Sequence, residues 1–134
     1  MPPEDDPHEL TFMQWPVSRS VYPDPVFLEM VQGTIAVIAN TISAFEPVTL
    51  LAGSEYHADI RKRFSAAVEI WDVPTEDLWC RDAGPVFAIN NRGALAVKQI
   101  QFNGWGRKQV HAHDAKIAGR VAERLGLTLL PTGL

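Results

Sequence analysis

Apolar residues recur along the chain in two rhythms, and each change of rhythm marks an element. The run PVFLEMVQGTIAVIANTISAF (25–45) spaces Phe27, Met30, Val31, Ile35, Ile38 and Ile42 helically, predicting a helix that buries the face they share. Asp24 offers an N-cap oxygen, and Pro25 suits a first helical position that needs no amide hydrogen. Gly33 weakens the middle of this helix slightly. PVTLLAG (47–53) is short, apolar and bounded by Pro and Gly, the pattern of a buried strand. Ser54 stands where it would cap a helix across EYHADIRKRF (55–64). AVEIWDV (67–73) alternates and predicts a strand, and PVFAIN (85–90) with ALAVKQIQF (94–102) predicts a hairpin turning at NRG. VHAHDAKIAGRVAERLG (110–126) reads as an amphipathic helix with Ile117, Val121 and Leu125 inward and Gly126 as its stop. LTLLP (127–131) begins a further strand, and the proline-rich residues 1–23 read as an extended, irregular arm.

Helix and strand therefore alternate, with one hairpin, which places the chain in the mixed α/β class, with helices packed on small sheets. At 134 residues it is one region of domain size. Its apolar end, LTLLPTGL, predicts a sheet that further chain would continue. A net charge of −4 argues against a nucleic-acid partner, and RKR (61–63) reads as the wet face of a helix. A lone cysteine cannot form an internal disulfide, and the acidic, proline-rich N-terminus is unlike a cationic signal peptide. No apolar run comes near the ~20 residues of a membrane helix. The expectation is a cytoplasmic protein with no membrane or nucleic-acid partner.

VPTEDLWCRDAGP (73–85) gathers the chemistry. Cys80 needs a base and an electropositive setting to act as a nucleophile, yet Glu76, Asp77 and Asp82 surround it with only Arg81 in opposition. It reads as a structural thiol. His111 and His113 fall on different helix faces, so no metal site is expected. Asp82 follows Trp79 by three residues and precedes Gly84-Pro85, a setting that suits a planar cation. A guanidinium could donate two parallel charge-assisted hydrogen bonds to it and stack on the indole. The competing reading is an Arg81–Asp77 surface pair with Asp82 capping a turn. In QFNGWGRK (101–108), glycines flank Trp105, which is either a ligand wall on a bending loop or a plug at the hairpin's end.

Together these motifs, in the order PHELTFMQWP, VPTEDLWCRDAGP, FNGWGRK and a closing D-x-x-x-A…RLGL helix, resemble the agmatine deiminase family, also described as Porphyromonas-type peptidyl-arginine deiminases. The resemblance runs the length of the chain. It implies a five-bladed pentein-type α/β propeller of ββαβ units around a polar channel. Residues 1–134 would be its N-terminal part, holding about two units. The implied reaction hydrolyses a guanidine to a ureido group and ammonia, with agmatine giving N-carbamoylputrescine on the route to putrescine, or peptidyl-arginine giving citrulline. Asp82 would be the catalytic carboxylate that grips the guanidinium, and Trp79 the substrate-binding aromatic beside it. The attacking cysteine and its acid/base histidine would lie outside this chain, since Cys80 does not match the family nucleophile. No cofactor or metal is implied. The partner is a small guanidinium substrate, with a homo-oligomer as a further candidate. FNGWG resembles the agmatine branch, although Ala83 stands where Thr is usual and Arg107 where Gly is typical. Alternatives are a peptidyl-arginine deiminase, an amidinotransferase, and a noncatalytic fragment that associates through residues 127–130.

Overall fold

In the computed structural model, which describes residues 6–131, the chain builds two three-stranded sheets. The first begins inside the arm that was expected to be irregular: Thr11–Gln14 forms β1. Four residues are too few for a pattern to announce, and what fixes β1 is its partner. Thr11 donates to Pro47 and Trp15 to Leu51 along a parallel neighbour, and Phe12 packs edge-on to Trp71 with ring centroids 5.5 Å apart.

α1 (Pro25–Ile42) starts as predicted, with the Asp24 carboxylate accepting from the Val26 amide at 2.8 Å. Its buried face differs from the prediction. Leu28, Ile35, Ala36 and Ala39 are buried, whereas Phe27, Met30 and Ile38 are 47%, 59% and 42% exposed. The sequence is apolar around most of the helix, so spacing alone left the orientation open. The sheet takes the side whose two alanines permit close approach. At 18 residues and a mean hydropathy of 1.4, α1 has the length and composition of a membrane span, contrary to the reading that no apolar run comes near it. Its buried side nonetheless packs into a core with Trp15, Val48, Leu50, Ile60 and Phe64.

β2 (Val48–Ala52) is buried along its whole length and is the middle strand. The segment after it is not the capped helix expected over 55–64. It is one α-turn, His57–Ile60, between tighter turns at Ser54–Tyr56 and Arg61–Arg63. Ser54 offers no side-chain cap; its amide donates to the Asp72 carboxylate at 2.8 Å. β3 (Val68–Asp72) completes the parallel order β1-β2-β3.

The predicted hairpin forms between β4 (Val86–Ile89) and β5 (Leu95–Gln99), which are antiparallel. The Asn90 side chain accepts from the Arg92 and Ala94 amides, and Gly93 takes φ 80°, open to glycine without steric cost. α2 (Ile117–Leu125) is shorter than predicted, preceded by a single tight turn at Asp114–Lys116. Ile117 and Val121 are buried as expected, Leu125 is 38% exposed, and Gly126 ends the helix at φ 64°. β6 (Thr128–Pro131) then pairs in parallel with β5, so residues 86–131 run β-β-α-β. Leu51, Trp71, Val73, Ala83, Ile117 and Val121 share a core that joins the two sheets. The described strands form no closed ring.

Candidate functional site

The site is assembled from the loop leaving β3 and the loop leaving β5. The first is fixed from below by a buried polar cluster. The Glu76 carboxylate accepts from the backbone amides of His113 (3.0 Å) and Asp114 (3.1 Å). The Asp114 carboxylate in turn accepts from the amides of Glu76 (2.8 Å) and Asp77 (3.1 Å), and from Gln14 Nε2 (3.3 Å). This reciprocal clasp explains why residues 110–113 are not helical: the segment before α2 is drawn across to the β3 loop. The Asp77 carboxylate accepts from the Tyr22 hydroxyl, the Leu78 amide (2.7 Å) and Gln109 Nε2 (2.8 Å). Asp77 is therefore buried and fully engaged, and the proposed Arg81–Asp77 surface pair does not form.

Burial, opposed by hydrogen bonds from the Glu76 and Asp77 amides and reinforced by those residues' charges, raises the Asp114 carboxyl to about 6. Burial, then the hydrogen bond to Asp77, pushes the Tyr22 phenol up. Burial, and secondarily the charge of Asp114, pushes the Cys80 thiol up to about 12. Cys80 is held as a neutral thiol, as expected, and is unsuited to attack.

Cys80–Ala83 forms one helical turn that presents Asp82. It closes with the Gly84 amide donating to the Cys80 carbonyl at 2.8 Å; a Cβ at position 84 would lie 2.3 Å from that oxygen, so only glycine fits. Half-buried Asp82 lines a concavity of about 370 Å³ together with Arg81, Ile100, Gln101, Phe102, Asn103 and Trp105. Among the described residues nothing donates to the Asp82 carboxylate. Trp79 is 52% exposed and does not line this concavity. The aromatic wall is Trp105, 39% exposed, with Phe102 edge-on to it at 5.0 Å.

Trp105 is displayed by an unusual backbone. Gly104, Trp105, Gly106 and Arg107 take φ of 63°, 52°, 80° and 63°, winding a single left-handed turn. Two backbone bonds hold it, Arg107 to Asn103 at 2.7 Å and Lys108 to Gly104 at 2.9 Å, and the Asn103 side chain accepts from the Gly106 amide at 2.8 Å. Left-handed geometry costs roughly 1–2 kcal/mol at each non-glycine residue. Such strain gathers where a loop faces a ligand. The indole of this loop is part of the lining of the concavity. The described residues contain no group of three or more His, Cys, Asp or Glu able to hold a metal. What the arrangement offers chemically is a carboxylate that takes no hydrogen bond from the described residues, in a concavity an indole also lines, a setting suited to a flat cation.

The sequence reading missed the buried cluster. Gln14 and Tyr22 lie in the arm, far from Glu76, Asp77 and Asp114, and no periodicity links them. Within the cluster Gln14 Oε1 is buried with no hydrogen-bond partner among the described residues.

Known proteins match this chain along its length. The family model for Porphyromonas-type peptidyl-arginine deiminase matches residues 1–133. A Streptomyces coelicolor relative aligns with the whole chain at 36% identity, and the chain spans 40% of that protein's length. The agmatine deiminase of Stutzerimonas stutzeri is 34% identical over 81% of this chain and 29% of its own length. Among solved structures, the agmatine deiminase of Enterococcus faecalis superposes on 99% of this chain and 37% of its own, with TM-score 0.87 and 25% identity. A C. jejuni agmatine deiminase with substrate bound covers 94% of this chain and 37% of its own, at TM-score 0.80 and 23% identity.

Proposed function

Because the chain belongs to the Porphyromonas-type peptidyl-arginine deiminase family, we propose that it supplies the guanidinium-gripping part of a deiminase site. The observation that carries this reading is the Asp82 carboxylate, to which none of the described residues donates, in a concavity that Trp105 also lines. Asp82 accepts two guanidinium N–H groups, keeps the group protonated and therefore electrophilic, and orients its carbon for attack. A cysteine thiolate from outside these residues attacks that carbon. A histidine, also outside them, protonates the departing ammonia, and water then hydrolyses the amidino-thioether to the ureido product. Cys80 is not that nucleophile, since its thiol is raised to about 12. Trp79 contacts the substrate only once further chain or the ligand itself closes over the exposed indole.

Agmatine is the favoured substrate. The FNGWG loop resembles that branch, and Arg107, the residue a substrate carboxylate would call for, is exposed and outside the concavity's lining. Peptidyl-arginine is the second reading, favoured by the family's description and by Arg81 in the lining. The two sheets are read as units of a five-bladed propeller completed by chain outside these residues, in a cytoplasmic enzyme without nucleic-acid or membrane partners. Alone, the 134 residues bind substrate and do not turn it over. The test is calorimetric binding of agmatine against putrescine, which has the same chain without the guanidine group, together with ammonia release. Selective agmatine binding without ammonia is the expected result. Equal binding of the two amines would overturn the assignment, and ammonia release by the chain itself would overturn the external nucleophile.

A further inference from the structure

Besides the Glu76–Asp114 clasp, one side chain that the proposed reaction does not use ties together the two loops that make the concavity. Gln109 Nε2 donates to Asp77 Oδ2 at 2.8 Å, and Asp77 lies buried in the loop that presents Asp82. The backbone carbonyl of the same glutamine accepts from His111 Nδ1 at 2.9 Å. A carbonyl cannot donate, so the imidazole hydrogen sits on Nδ1. These two groups then brace Gly104, the first residue of the left-handed turn. A Cβ there would stand 2.6 Å from both the Gln109 oxygen and His111 Nδ1, so only glycine lets the turn rest on them. The His111 ring meets Phe102 edge-on at 6.1 Å, and Phe102 meets Trp105 at 5.0 Å.

We propose that Gln109 is a positioning residue that sets the Trp105 wall at a fixed distance from Asp82 by tying the left-handed turn to buried Asp77. The inference deepens the guanidinium reading and rests on it for its effect on ligand, although the tie itself does not depend on any ligand. Without the Nε2 donor, the turn keeps its contacts with His111 and the Phe102 packing but loses its tie to the loop that presents Asp82, and the indole is no longer held at one orientation to the carboxylate.

The test follows the Trp105 indole N–H resonance of the 134-residue chain, assigned by its loss in Trp105→Phe, alongside agmatine affinity and the melting temperature. In Gln109→Leu the resonance should shift or broaden while those of Trp15 and Trp71 hold, and agmatine affinity should fall about tenfold, the equivalent of one lost hydrogen bond. Gln109→Glu is the second variant, should the first not fold. Its introduced carboxyl can donate to Asp77 only when protonated, so the Trp105 resonance should return toward the wild-type position in acid and depart from it at neutral pH. A Trp105 resonance unmoved in folded Gln109→Leu, or pH-independent in Gln109→Glu, would overturn the inference. A wild-type chain that ignores agmatine while Trp105 still responds would instead overturn the guanidinium reading and leave the tie standing.

Discussion

Replacing Asp114 by asparagine turns the buried clasp into a measurable pH dependence. The Asp114 carboxylate is 1% exposed and accepts from the Glu76 and Asp77 amides and from Gln14 Nε2. Its folded-state pKa is raised from 3.8 to about 6, burial being the largest cause. Two units correspond to roughly 3 kcal/mol of preference for the protonated form. A raised carboxyl stabilises the fold below its unfolded value, and that contribution is lost as pH climbs through the folded value. Wild type should therefore lose about 3 kcal/mol from this group between about pH 4 and pH 8. Asp114→Asn removes the titration. It also exchanges one acceptor for an NH2 group and strands one donor, a pH-independent cost of about 1–3 kcal/mol. The variant is thus the less stable protein in acid, and the gap closes or reverses at about pH 8. At about 3–5 °C per kcal/mol for a chain of this size, the difference in melting temperature narrows by about 10 °C. Paired urea and thermal unfolding curves across that range read it, with every other titrating group common to both proteins. A gap constant with pH, or one that widens as pH rises, would refute the reasoning.

Two further outcomes follow from the turn that presents Asp82. Gly84→Ala should cost more than about 2 kcal/mol, because the new Cβ meets the Cys80 carbonyl at 2.3 Å and backbone cannot step aside; a urea midpoint within error of wild type would contradict this. Cys80 in the folded chain should react with iodoacetamide at least about a hundredfold more slowly at pH 8 than in the urea-unfolded chain, since its thiol is pushed up to about 12. Equal labelling rates, followed by mass spectrometry, would return Cys80 to contention as a nucleophile.

How far the fold was legible depended on whether its cause was local. β2, the β4–β5 hairpin with Gly93 in its turn, and the Gly126 stop of α2 follow from apolar runs and glycine geometry within a few residues, and the structure has them where expected. β1 and the buried face of α1 depend on partners elsewhere in the chain. A helix apolar around most of its circumference carries no signal for which side the sheet will take, and Ala36 and Ala39 decide it by size. The early start predicted for α2, at residue 110, failed for the same reason: Asp114 is drawn away by Glu76, 38 positions earlier. The chemistry was legible as residue types. Asp82 beside Gly84-Pro85 was singled out and does line a concavity, whose aromatic lining residues are Phe102 and Trp105, while Trp79 lies outside it. Spacing in sequence pointed to Trp79, and it carried no signal for the left-handed turn at 104–107 that brings Trp105 into the lining.

Agmatine affinity before and after Asp82→Asn bears most sharply on whether Asp82 grips the guanidinium. The amide keeps the shape of the side chain but surrenders the charge and one of two acceptor oxygens. With charge-assisted bonds contributing on the order of 1.5–3 kcal/mol each, isothermal calorimetry should show affinity falling at least about a hundredfold while the melting temperature stays near wild type. Agmatine bound equally well by both proteins would contradict the central claim.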